Sequence, residues 1–432
     1  MRPDPGMPGA GAEPPKANGK SHPAKKPHSA VSSHEATAGR LFRSFFAAGF
    51  ECSTFIRRSG KRLDLLAETH HEEFAEQDYQ RLKTFGLRVA REGVRWHLAA
   101  PKPGRYDFRS VEPIVRAARA TGTQVIWDLC HFGWPDYLDL FSPAFVSALA
   151  EFGAAFAAWL QHELEPPGFF VPVNEISFFS WASGDEGSLH PFVTGRGFEL
   201  KQHLVRAALQ TMDAIRAVTP AARFLHVDPL IHVLASPRHP EEAAAAEAYR
   251  LSQFQAWDML AGRLCPELGG HRRYLDLIGV NFYPQNEWFY NIQGTRRIRK
   301  FVPLSPRHAK YRHLRHLLCE VYQRYERPVL IAETGAEDRR RASWFRYVCG
   351  EAAAALQTGV PLEGICLYPI LNHPGWIDDR HCHNALWDYA DARGNRPVYA
   401  PLAQELRRWQ KRLTPERRTA NQVHHPAARR AA

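Results

Sequence analysis

Residues 169–177 read F-F-V-P-V-N-E-I-S, and residues 329–335 read V-L-I-A-E-T-G. Each is an apolar run of strand length that stops at a carboxylate, Glu175 in one and Glu333 in the other. Runs this short, bounded by polar residues, fit strands buried on both faces. Similar runs begin near Phe45, Leu87, Gln124, Arg223, Leu277 and Leu362, and the two quoted begin near Phe169 and Pro328. Between them lie amphipathic stretches with helical spacing, at 72–85, 111–120, 144–164, 199–218, 314–325 and 342–356. Pro143, Pro220 and Pro328 stand at or beyond helix ends, where a residue without a backbone N–H belongs. Gly86, Gly122 and Gly359 follow helices as C-cap residues.

Eight strands separated by helices are the count for a single α/β domain of the closed (β/α)8 TIM barrel type. A doubly wound open sheet is the rival. It would more often carry a Gly-rich fingerprint in its first strand-to-helix turn, and G-F-E-C-S-T at 49–54 is not one.

The chain has 432 residues, 44% hydrophobic and 23% charged, so it has ample material for a core. No uninterrupted apolar run reaches 18 residues, which argues against a membrane-spanning helix. The first 26 residues lack the apolar segment of a Sec-type signal peptide. Seven scattered cysteines without paired spacing read as reduced thiols of a cytoplasmic protein, with no zinc motif.

The net charge of +11 sits mostly in the tails. Residues 1–43 carry seven Lys/Arg against three Asp/Glu, and residues 411–432 carry six against one, leaving +2 for residues 44–410. Both tails lack hydrophobic periodicity and are expected to be disordered and solvated. The expected domain is therefore 44–410. Its near-neutral charge argues against nucleic acid as a partner, although tails tethered to a polyanion remain an alternative.

In a (β/α)8 barrel, chemistry sits at the C-terminal ends of the strands. Reading those positions gives Arg91, His131, Asn174, Glu175, Asn281, Tyr283, Glu333, Tyr368 and Trp376. Arg88 and Arg95 compete with Arg91 for the place on strand two. His226 and Asp228, ending strand five, are further candidates. Two carboxylates facing each other across a barrel mouth describe the pair used in glycoside hydrolysis. Trp96, Phe132, Trp134, Trp181 and Trp288 add flat apolar faces suited to a sugar ring, though such an aromatic taken singly is more often ordinary packing. His373, Asp378, Asp379, His381, Cys382 and His383 form a dense polar cluster. Its spacing fits no metal template and reads as a polar loop over the site.

The ordered set of motifs resembles the retaining glycosidases of clan A, and specifically glycoside hydrolase family 1. N-E after strand four and E-T-G after strand seven carry the likeness, with D-L-C-H-F-G-W-P-D-Y-L (128–138), G-V-N-F-Y-P (279–284) and P-G-R-Y-D-F (103–108). It extends from Phe45 to about Trp409. The resemblance implies Glu175 as general acid/base and Glu333 as nucleophile, with Arg91 holding Glu333 ionised and Tyr283 donating to it. It implies Asn174 on a sugar 2-hydroxyl and His131 on a neighbouring one, with Asn281, Tyr368 and Trp376 as further substrate contacts. No cofactor or metal is implied, and the partner is a small carbohydrate or glycoside.

Five positions depart from the family pattern. Ile176 follows the first glutamate in place of Pro, and Thr334 follows the second in place of Asn. Ile56 stands where the family has a strand-one Gln, so that contact is missing or shifted to Glu51. Tyr368 replaces a Trp, and Gly375 replaces a Glu that reads the outer hydroxyls of glucose or galactose. The expected function is a retaining β-glycosidase of small β-linked glycosides. The alternatives are a transglycosylase on the same site or a catalytically silent carbohydrate-binding barrel.

Overall fold

The computed structural model describes residues 41–165, 168–290 and 302–413. The expected disordered tails, 1–43 and 411–432, lie outside the described residues except for three positions at each inner edge. Eight parallel strands form a closed barrel: β1 Phe46–Gly49, β2 Val89–Gly93, β3 Gln124–Asp128, β4 Phe169–Val171, β5 Arg223–Pro229, β6 Leu277–Asn281, β7 Val329–Thr334 and β8 Leu362–Leu367. Each pairs with the next, and β8 pairs with β1. The rival open sheet is thereby excluded.

Alternation along the strands sorts two apolar layers. Val89, Ile126, Phe169, Val171, Leu225, Val227, Leu277, Leu330 and Ala332 fill the interior. Phe42 joins them with its ring centroid 5.0 Å from that of Phe169. The alternate residues, among them Phe46, Ala90, Trp127, Phe170, Ile278 and Ile331, belong to the outer layer shared with the helices. Continuing the interior parity up β2, β3 and β6 brings Arg91, Asp128 and Asn281 to the mouth.

Strand β7 breaks this parity. Ile331 pairs with Val280 and Glu333 with Asn281, so two steps on β7 match one on β6. Such a bulge re-aims the residue that follows it. Ala332 and Glu333 both serve the interior side. Thr334 then turns outward, accepting a bond from Trp344 Nε1 at 2.9 Å and donating to the Phe282 carbonyl at 2.7 Å.

The surrounding helices are α1 Ala75–Thr84, α2 Glu112–Thr121, α3 Pro143–Leu160, α4 Gly197–Val218, α5 Gln255–Leu260, α6 Leu314–Tyr325, α7 Arg340–Gln357 and α8 Ala400–Leu413. Ser142 caps α3 by accepting from the Phe145 N–H, with Pro143 at the first turn. Gly122 ends α2 at φ 66°, a left-handed position that glycine adopts without strain. Helix α8 runs three residues past the expected domain edge because Leu402, Leu406 and Trp409 bury one of its faces.

Helix α3 also differs from expectation. With a mean hydropathy of 1.4 over 18 residues it is long and apolar enough to cross a membrane, although Ser147 and Glu151 interrupt the run. Here its apolar residues serve the core: Phe145, Leu149, Phe152 and Phe156 are buried, and Phe152 stacks on Trp96 at 5.5 Å.

A buried ionic cluster ties α1 to β2. His71 meets Asp78 at 2.8 Å and Glu92 at 3.0 Å, and Arg396 holds Asp78 through two nitrogens at 2.7 and 2.9 Å. Burial opposes protonation of His71, yet Glu92 and Asp78 outweigh it and lift its pKa to about 9. A group whose pKa rises on folding stabilises most below its unfolded value of about 6.5, and this contribution fades as pH passes the folded value. Thermal denaturation should therefore show stability falling between about pH 6.5 and 9, and His71→Gln should flatten that slope. An equal slope in the variant would exclude His71 as its source.

Candidate active site

The mouth is organised around Arg91, which is 1% exposed. A guanidinium has five N–H donors in a fixed fork, and each has an acceptor here. Nε donates to Asp128 Oδ1 at 3.1 Å, and Nη2 donates to Asp128 Oδ2 and Asn174 Oδ1, both at 2.7 Å. Nη1 donates to Glu333 Oε1 at 2.6 Å and to the Ala332 carbonyl at 3.3 Å. Arg88 is exposed, and Arg95 is tied to Asp64, Glu72 and the Ser110 carbonyl, so neither competes.

Glu333 completes its shell with the Tyr283 hydroxyl, which donates to Oε2 at 2.8 Å. Glu175 is placed differently. It sits at φ 46° just before the short helix Ile176–Ser180, with its N–H on the Val227 carbonyl. That helix is fixed by Asp228, which accepts the N–H and hydroxyl of Ser177 at 2.9 and 3.0 Å. Glu175 Oε1 accepts one bond, from Asn281 Nδ2 at 2.8 Å. Burial raises its pKa well above the usual glutamate value, and the nearby Glu333 carboxylate raises it further.

A cavity of about 950 Å³ opens above this floor. Glu51, His131, Glu175, Tyr283, Glu333 and Trp376 line it, six of the ten sequence-identified site residues. Arg91, Asn174, Asn281 and Tyr368 stand in the wall behind them, each 2% exposed or less. Both ends of the Asn174 amide are engaged, since its Nδ2 meets His131 Nε2 at 3.1 Å. His131 Nδ1 lies 2.8 Å from Asp128, so His131 is oriented by the acid that also grips Arg91. Tyr368 packs over Gly49, where a Cβ would collide with its ring.

Glu51 accepts the Ser53 N–H at 3.0 Å and hydroxyl at 2.5 Å. Trp376 packs edge-on against Phe55 and Phe132, with centroids 5.4 and 5.6 Å away. Arg57 holds its loop by donating to the carbonyls of Trp376 and Gly375, both at 2.8 Å, and to Asp379. Trp181 and Trp288 line the cavity, whereas Trp96 and Trp134 are buried packing residues.

Other expectations are corrected. His226 and Asp228 do not border the cavity. His226 faces the Tyr274 carbonyl at 2.9 Å, and burial pushes its pKa down to about 4. Asp228 is the anchor of Ser177, with its pKa pushed up to about 7 by burial. The dense polar cluster, expected as a polar loop over the site, does place His373, Asp378 and Cys382 on the cavity, while His381 stacks on His383 beside Asp388. His373 contacts Asn384 and the Pro374 carbonyl, Asp379 meets Arg57, and His381 lies on Asp388 at 2.8 Å.

Sequence reading missed Asp128. The signal was available, because W-D ends an apolar strand as Glu175 and Glu333 do. Burial works against its ionisation, but Arg91 and His131 hold its pKa below the usual range. It also missed the Glu337–Arg380 pair on the outer wall, with contacts of 2.7 and 3.1 Å, and Lys201 of α4.

No protein-family model matches the chain, and no curated protein sequence does. Solved structures do. A β-glucosidase from Thermotoga maritima in complex with glucoimidazole superposes with a TM-score of 0.70 at 15% identity, covering 86% of this chain and 99% of that one. The barrel is shared. A family 1 β-glucosidase from the same organism, in complex with isofagomine lactam, gives 0.69 at 16% identity over 87% of this chain and 98% of that one. The AHE enzyme from Alicyclobacillus herbarius gives 0.70 at 17% identity, covering 86% and 98%. At such identity the likeness establishes the (β/α)8 architecture.

The coupling of the two carboxylates is measurable. Glu333→Gln removes a negative neighbour, so the pKa of Glu175 should fall. Carbon-13 NMR of labelled glutamates checks this, and a Glu175 titration unmoved by the substitution would contradict the coupling.

Proposed function

We propose that this protein is a retaining β-glycosidase of small β-linked glycosides. The observation that carries this reading is the unequal environment of two carboxylates in one cavity. Glu333 receives the Arg91 guanidinium at 2.6 Å and the Tyr283 hydroxyl at 2.8 Å. Glu175 receives one amide and is pushed toward its neutral acid form. That division is what double displacement requires.

In the first step a Glu333 oxygen bonds to the anomeric carbon while the glycosidic C–O bond breaks, and the Glu175 proton passes to the departing oxygen. Glu333 thereby loses its charge, and one cause of the raised Glu175 pKa disappears. Glu175 then takes a proton from water, which attacks the anomeric carbon and frees Glu333 with the original configuration restored. Arg91 and Asn281 act as positioning residues. Glu51, His131 and Trp376 are the surfaces offered to the sugar. The likeness of the fold to β-glucosidases supports the reading. All seven cysteines are free, which supports a protein working in a reducing compartment such as the cytoplasm.

The test is release of 4-nitrophenol from β-glycosides of gluco, galacto, manno, fuco, xylo and glucurono configuration. At least one should be cleaved, with Glu333→Gln inactive and Glu175→Gln slowed about 10²–10⁴-fold on a poor leaving group. Proton NMR of the first product should show the β-anomer. An α-anomer formed first would exclude retention, and full activity in Glu333→Gln would exclude the mechanism.

A further inference from the structure

Lys201, in the second turn of α4, is 8% exposed and lines the cavity. Its ammonium has three donors. Among the described residues it makes one hydrogen bond, to Gln255 Oε1 at 2.8 Å, and no carboxylate lies within 4.0 Å of it. Burial pushes its pKa down, while the more distant Asp228 and Asp185 push it back. Both acids have closer partners: Asp185 accepts the Gly197 N–H at 2.7 Å, and Asp228 holds Ser177. A cation so enclosed, with donors to spare, is stabilised by an anion entering the cavity.

The position of Lys201 says which part of a ligand would meet it. Ser177, Ser180 and Trp181 follow Glu175 in the chain and line the same cavity as Lys201. This is the wall of the general acid, and a leaving group lies against the residue that protonates it. The neighbouring surface is apolar, formed by Phe178, Trp181, Phe198, Pro229 and Ile231. Arg380 also lines the cavity, but Glu337 takes its guanidinium through two bonds, so no comparable cation is open there.

We propose that this wall is a subsite for a leaving group joining an aromatic body to a carboxylate, with Lys201 as counter-ion. The inference rests on the glycosidase reading and specifies its substrate class: β-glycosides of hydroxyaryl carboxylates. The aryl face packs on the apolar wall, and the carboxylate takes the spare N–H donors of Lys201. In the first displacement the phenolic oxygen leaves with the Glu175 proton, and the carboxylate keeps its charge throughout.

The experiment has two arms, both on the full chain. Calorimetry compares 4-hydroxybenzoate with neutral 4-hydroxybenzamide, on the parent protein and on Lys201→Gln and Lys201→Arg. The carboxylate should bind about tenfold tighter or better, an advantage lost in Lys201→Gln and regained in part in Lys201→Arg. The second arm compares kcat/KM for the 4-carboxyphenyl and 4-carbamoylphenyl β-glycosides of whichever glycone the panel identifies, and the same ratio should follow Lys201. Equal binding of the two phenols to the parent protein overturns the subsite, even if no variant folds. A preference that survives in Lys201→Gln overturns the role of Lys201. Cleavage of both glycosides without preference leaves the glycosidase reading standing and removes only the subsite. Lysine-dependent binding with no glycoside cleaved does the reverse.

Discussion

A guanidinium buried at the centre of a barrel mouth must have its charge and all five N–H groups answered, and Arg91 does. Its acceptors come from β3, from the segment after β4, and from β7, so one side chain ties three walls together. Removing one partner from a buried pair of this kind typically costs about 3–5 kcal/mol, because the other charge is left uncompensated. Lysine offers a compact charge with three donors and cannot span the same set. The requirement explains Asp128, a carboxylate that lies below the cavity floor yet fixes both Arg91 and His131. It also explains why Asn174 is consumed in the wall.

Two backbone devices then present the carboxylates, a bulge that overrides the strand parity at Glu333 and a left-handed residue at Glu175. In β7 the bulge before Glu333 turns that residue inward directly after the inward-facing Ala332. After β4, Glu175 adopts a left-handed conformation that costs a non-glycine residue about 1–2 kcal/mol. The Asp228–Ser177 bonds and the Asn281 amide hold it there. Two strands of ordinary parity would aim one of these acids into the helix layer. The difference between a carboxylate held by a guanidinium and a hydroxyl at Glu333 and one held by a single amide at Glu175 follows from where these devices leave them relative to Arg91.

The strands were legible because buried parallel strands are short continuous apolar runs. Seven of the eight observed starts lie within one residue of the expected position, and Val89 lies two residues from its own. Helix α8 was not anticipated, since its basic surface face reads like the tail that follows it. Placing residues at strand ends identifies who reaches the mouth, but not who is exposed there. Asn174, Asn281 and Tyr368 satisfy the rule and still lie behind the surface, because which layer a side chain joins depends on its hydrogen-bond partners. His226 and Asp228 illustrate the same limit. Lys201 was illegible for the opposite reason: it comes from a helix, where a lone lysine reads as a solvated side chain. Tertiary packing buries it and sets it against Gln255 of α5.

The strand-eight loop shows how such a site can change residues without becoming apolar. The absence of a side chain at Gly375 reads in sequence as the loss of a carboxylate. In the structure, a Cβ at that position would collide with Oδ1 of Asp378. The glycine is therefore the condition for Asp378 to fold back, and Asp378 itself lines the cavity. Arg57 makes the turn rigid by holding the carbonyls of Gly375 and Trp376, which keeps Trp376 against Phe55 and Phe132. An acidic group is thus returned to the outer wall from three residues further along the chain, beside the Glu337–Arg380 pair. The polar lining of the cavity at this end is then set by loop geometry as much as by residue identity. A reading of position 375 alone would miss the carboxylate that the glycine admits.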